Sequence, residues 1–169
     1  MPKDRTTAAP AKKTARKRPG RKPRELPTWY VVAVEGWDWS YSFGIQRMKD
    51  RPEPYDDYRH LHLTGTLLRP AKLKVETVRL IFLPDEAYNR DQWERHKRPH
   101  VGSVSLHRGR FDALCSLPAD ALAPVLTMLA ADKIKYAVLD GAKLRYGHAD
   151  ITHYRLDMSM DEDDLPPET

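Results

Sequence analysis

The sequence predicts a mainly β protein: an antiparallel β-sandwich or open barrel of about eight strands with one packed α-helix, behind a disordered basic tail. Three observations carry that expectation. From Trp37 to Ile45, large apolar residues (Trp37, Trp39, Tyr41, Phe43, Ile45) alternate with Asp38, Ser40, Ser42 and Gly44, the period of a strand with two unlike faces. Two further stretches, His60 to Leu68 and Phe111 to Leu117, repeat the same period. Only one stretch, Leu122, Val125, Leu126 and Leu129, has helical spacing, so no strand–helix–strand rhythm supports a parallel nucleotide-binding sheet.

The elements follow in order. Trp29 to Val34 is rich in aromatic and β-branched residues and reads as a strand. Gly36 then suits a tight turn, making a hairpin with Trp37–Ile45 whose aromatic stripe is expected in the core. Gln46 to Arg59, with Pro52, Pro54 and a Tyr-Asp-Asp-Tyr cluster, reads as a loop. In the next strand Leu61, Leu63 and Leu67 face one way and His60, His62, Thr64 and Thr66 the other, until Pro70 ends it. Leu73 to Leu83 is apolar on both faces in its second half, as in a strand running through the middle of a fold.

Asp85 to Pro99 is charged and reads as a short surface helix or an irregular loop. Val101 to Leu106, a turn at His107-Arg-Gly-Arg110, and Phe111 to Leu117 form a hairpin. Pro118 suits the first position of the helix, and Pro124 implies a bent first turn or a late start. Ile134 to Leu139 and Ala142 to Tyr146 flank Asp140-Gly141, a strong hairpin signal. Ala149 to Met158 is the last strand. The expected organisation is a basic tail over 1–27, a β domain over 28–158 and an acidic disordered tail over 159–169.

Charge divides the chain. Residues 1–25 hold ten Lys or Arg against Asp4 and Glu25, a net +8, whereas the whole chain is +5, so the remainder is −3. The tail has almost no apolar content beyond alanine and cannot offset the entropy of ordering. Its natural partner is a polyanion, contacted through Lys12, Lys13, Arg16, Lys17, Arg18, Arg21, Lys22 and Arg24. Within it, Arg18-Pro-Gly-Arg-Lys-Pro23 resembles the AT-hook, a short Arg-Gly-Arg-Pro core that lies in the minor groove of DNA. Pro19 precedes Gly20 and Lys22 separates Arg21 from Pro23, so the resemblance implies backbone attraction rather than base-sensitive reading.

Candidate chemistry centres on His60 and His62, which share a strand face and are the candidate metal ligands. The pair resembles the opening of a cupin site, a histidine-triad nucleotide hydrolase site and a two-histidine phosphoesterase site. It departs from each at the next required residue: the next acid is Glu76, Thr64 replaces a third histidine, and no second His-x-Thr/Ser unit follows His62-Leu-Thr64. His148, Asp150 and His153 form a second group that could join the first. The single cysteine, Cys115, excludes an internal disulfide, and no apolar run is long enough for a membrane helix.

The expectation is a cytoplasmic, non-enzymatic binding module that contacts nucleic acid through its arm and has room for a protein partner, with no membrane association. The alternatives are a small metal- or phosphate-dependent enzyme using His60 and His62, or a subunit of a larger assembly. No cofactor follows from the residues.

Overall fold

The computed structural model describes residues 27–45, 55–85, 100–161 and 163. Residues 1–26 of the expected basic tail, 46–54 of the expected Gln46–Arg59 loop, 86–99 of the charged Asp85–Pro99 segment and most of the acidic tail lie outside them, while Tyr55–Arg59, expected as loop, is strand. The strands are β1 (Thr28–Ile45), β2 (Tyr55–Arg69), β3 (Thr77–Asp85), β4 (Gly102–His107), β5 (Arg110–Pro118), β6 (Tyr136–Gly141) and β7 (His148–Asp157). A 3₁₀ turn, Ala119–Ala121, leads into helix α1, Leu122–Ala130. The fold is mainly β, as the alternation requires. The strands bond in the order β1-β2-β3-β5-β4-β7-β6, and β6 returns to β1, so seven strands close one sheet into a barrel. All neighbours are antiparallel except β3 and β5, which run parallel.

The strand count falls below the expected eight because two sequence signals resolve differently. Gly36 is not a hairpin turn: β1 runs through it without reversing, and the register against β2 shifts between Val34 and Gly36. Such a bulge adds a residue and resets which face each side chain takes. The strand is accommodated by Gly65, opposite Val34, where a Cβ would lie 1.9 Å from the Ala33 carbonyl oxygen.

Asp140-Gly141 likewise ends β6 rather than turning the chain. Gly141 is needed there for close approach, since a Cβ would come within 2.2 Å of the Asp150 carbonyl oxygen. The reversal instead occurs at Tyr146 and Gly147, with φ of 52° and 78°, closed by the Arg145–His148 bridge. Two successive positive φ values match the twist of a two-residue hairpin. Arg108 and Gly109, with φ of 49° and 77°, form the turn that the sequence placed there.

The closed sheet surrounds a core whose largest members are Tyr30, Phe82, Phe111, Leu61, Leu63 and Leu80. The alternating leucines of β2 and the Phe111, Ala113, Cys115, Leu117 series of β5 point inward as their spacing dictates. Two tyrosine hydroxyls reach into the core, each with a backbone partner. Tyr30 donates its hydroxyl hydrogen to the Ala142 carbonyl (2.8 Å), and Tyr154, whose ring meets Phe82 edge-on at 5.2 Å, donates to that of Ser116 (2.8 Å). Burial pushes the Tyr30 hydroxyl up to about 12, so it remains a donor across the ordinary pH range. Helix α1 starts after Pro118, so Pro124 falls in its first turn, where a backbone N–H has no acceptor to lose. Leu122 and Leu129 are its buried members, with Val125 and Leu126 packed beside them.

Tyr146 adopts a left-handed conformation with its side chain in solvent, so nothing it touches offsets the strain. Tyr146→Asn, which keeps the turn and relieves that strain, is expected to stabilise the fold by about 1 kcal/mol, read as a thermal midpoint raised by about 2–4 °C.

Candidate functional site

Strand β1 is 18 residues long, but β6 pairs only with its first part, from Thr28 to Ala33. β2 accompanies β1 out to the Ile45–Tyr55 pair, while β3 pairs with β2 only from Leu61 to Gly65. The far ends of β1 and β2 therefore form a two-stranded ribbon standing off the barrel. Its pleat continues that of the barrel wall. Trp37 and Trp39 lie opposite the core residues Leu63 and Leu61, so Tyr41, Phe43 and Ile45 continue the core-facing side past the point where the barrel has an opposite wall.

This corrects the expectation that the aromatic stripe is core. Trp39 packs on the core, but Trp37 is 43% exposed, Tyr41 57%, Phe43 63% and Ile45 71%. Tyr55, 59% exposed, stacks on Phe43 with ring centroids 5.6 Å apart, which fixes the ring face without covering it. The face carries the ion pair of Asp57 with Arg59, whose Nε donates to the carboxylate at 2.8 Å. The expectation for β2 holds: Leu61 and Leu63 are buried and Leu67 packs against the core.

His60 and His62 project from the outer face, opposite Ser40 and Asp38. Their rings lie nearly parallel at 6.0 Å, so the strand does bring both imidazoles together. Asp38 is the nearest carboxylate by register, but its Oδ1 accepts the Trp39 backbone N–H at 2.9 Å. The Nε2 of His62 is buried with no hydrogen-bond partner. Among the described residues no group of three His, Cys, Asp or Glu side chains gathers to hold a metal ion.

His148, Asp150 and His153 do not join the pair. β7 lies between β4 and β6, with the barrel between it and β2, and both groups face outward. His153 instead sits opposite Asp140. The Oδ1 of Asp140 is buried without a hydrogen-bond partner. Burial pushes the Asp140 carboxyl above its ordinary 3.8, and the nearby His153 charge partly offsets this. Cys115 is in the core, where burial pushes its thiol up to about 12 and removes it as a nucleophile. The eight basic residues proposed for nucleic-acid contact lie outside the described residues. The sequence signal that was misread is the aromatic stripe itself: its period marks an apolar face and says nothing of what lies opposite.

No helix among the described residues is long and apolar enough to cross a membrane. Comparison with protein-family models, curated proteins and solved structures finds no match.

The folded Asp140 carboxyl holds its proton to a higher pH than in the unfolded chain, so its ionisation opposes folding. The stability associated with the protonated carboxyl is fully present below about 3.8 and is lost as pH rises through the folded value. Asp140→Asn is expected to melt higher than the parent at pH 7, with the difference closing below about pH 4 in paired thermal melts across pH.

Proposed function

We propose that this chain is a non-enzymatic binding module that contacts nucleic acid through the basic residues of its N-terminal segment, with the aromatic ribbon as a separate contact surface. One observation carries the reading: residues 1–25 have a net charge of +8 while the rest of the chain sums to −3. A polyanion recruits such a segment because each Lys or Arg that neutralises a phosphate releases a condensed counterion. Lys12, Lys13, Arg16, Lys17, Arg18, Arg21, Lys22 and Arg24 supply that charge within thirteen positions.

The ribbon suits a different partner. Its rings are exposed enough to stack on bases, but the charge around them is wrong for phosphate: Asp57 occupies the Arg59 guanidinium, and Asp38 lies on the reverse face. Electrostatic reach and apolar contact therefore reside in different parts of the chain.

Replacing all eight basic residues by Gln is the direct test, with fluorescence anisotropy of a labelled DNA duplex at several salt concentrations. The parent affinity is expected to fall steeply with salt, by roughly 10³–10⁵ between 50 and 200 mM if most of the eight engage phosphates. The Gln variant is expected to bind at least about tenfold more weakly at the low end, with a shallow slope. Equal affinity and equal slope would falsify the reading.

A second reading, metal or phosphate handling at His60 and His62, draws on the unpartnered His62 Nε2. Elemental analysis of the purified protein separates the two. The binding-module reading expects no stoichiometric metal, and none lost on substituting both histidines by Ala. Stoichiometric zinc that disappears in that variant would favour the second reading.

A further inference from the structure

Along the ribbon, no strand among the described residues lies beside the outer edge of β1. β6 ends its pairing at Ala33, and the last bond on that side runs from the Val34 N–H to the Lys135 carbonyl at 2.8 Å. Beyond it, no described strand flanks β1 on that edge. In an antiparallel pair, successive residues aim their N–H and C=O groups alternately at the two neighbours. The Trp39 N–H donates to the Asp38 carboxylate at 2.9 Å, which places Trp39 in the set aimed at the open edge. By alternation that set includes Tyr41 and Phe43, which also carry the exposed rings. Apart from the Trp39 N–H, which Asp38 caps, this row offers uncovered apolar surface beside backbone groups that no described strand takes up. Soluble proteins usually protect such an edge with charge, proline or a covering element.

We propose that this edge pairs antiparallel with the same edge of a second copy of the chain, about a two-fold axis at Tyr41. A two-fold contact must be complementary to itself. With Tyr41 on the axis, Trp39 faces Phe43 of the second copy and Trp37 faces its Ile45, so every apolar residue of the row meets another. On the reverse face Ser40 meets Ser42 and Asp38 meets Gly44, so no like charges oppose. Sliding the register by two residues toward the barrel sets Ile45 against Glu35 and loses the match. Aromatic pairs directly opposite on antiparallel strands are among the favourable cross-strand combinations.

Size and charge support the same occupant. A large aromatic side chain presents about 150–250 Å². At the exposures found here, the four rings and Ile45 offer about 500 Å² per copy, at the upper end of apolar patches on monomers. Edge pairing covers the part of this surface that turns toward the second copy, so backbone bonds along the shared edge and apolar contact act together. Among the described residues this face carries no charge besides the Asp57–Arg59 ion pair, so it favours an apolar strand over a polyanion. Pairing would also set two basic segments on one particle, raising the avidity for a long polyanion. That consequence alone rests on the proposed nucleic-acid contact; the pairing does not.

Sedimentation equilibrium of the full chain tests the proposal across roughly 1–100 µM. The expected mass is twice the 19.5 kDa of one chain. Tyr41→Lys with Phe43→Lys is expected to sediment as a monomer while far-UV circular dichroism stays that of the parent. A cross-linking pair of variants guards against misfolding. Tyr41→Cys is expected to form a disulfide-linked dimer on mild oxidation, because the two positions meet on the axis. Asp38→Cys is expected not to, because its two copies lie six residues apart along the paired strands. Cys115, buried in the core, stays silent in both. A monomeric parent over the whole range, a dimer that survives the double lysine variant, or equal cross-linking at positions 38 and 41 overturns the pairing. A monomer that still binds DNA through its basic residues would sink this proposal and leave the functional one standing.

Discussion

β1 has two neighbours of unequal reach, and the rest of the structure depends on that mismatch. Its first part closes the barrel by pairing with β6 on one side and β2 on the other. Its second part keeps only β2. Closure needs the short partner, because the pairing from Thr28 to Ala33 seals the sheet over Tyr30 and Val32. The surplus length becomes the ribbon. The same strand is therefore wall at one end and limb at the other, and the bulge between Val34 and Gly36 marks the change.

The exposed rings have an energetic meaning. Burying a large apolar side chain stabilises by about 1.5–3 kcal/mol, so leaving Tyr41, Phe43 and Tyr55 more than half exposed forgoes roughly twice that. The barrel tolerates it because its interior is filled from other strands: Phe82 from β3, Phe111 from β5, and Leu61 and Leu63 from β2. A fold does not need rings it never buries. Filling the barrel interior does not account for the rings on this protruding element.

Much of the architecture was legible locally. The leucines of β2, the period of β5, the helix and the Arg108-Gly109 turn each follow from neighbours a few residues away. The errors share one cause. Gly36 and Gly141 carry a turn residue's freedom, but each serves a close approach to a strand distant in sequence: Gly36 to the Thr64 side chain and Gly141 to the Asp150 carbonyl. A glycine required by φ and a glycine required by space look identical in one sequence. The histidines show the same limit. Alternation placed His60 and His62 side by side, yet the whereabouts of Asp38 and β7 depended on pairing between strands.

The sequence alone determined the mainly β character, the inward Leu61 and Leu63 of β2, the helix after Pro118 and the separation of a cationic segment from a nearly neutral body. These are properties of composition and of local period. Tertiary structure alone decided that the sheet closes, that β3 and β5 run parallel and that the ribbon's rings meet solvent. The physical reason is that periodicity distinguishes two faces of a strand, whereas burial needs a second surface opposite one of them. That surface is supplied by residues far away in the chain.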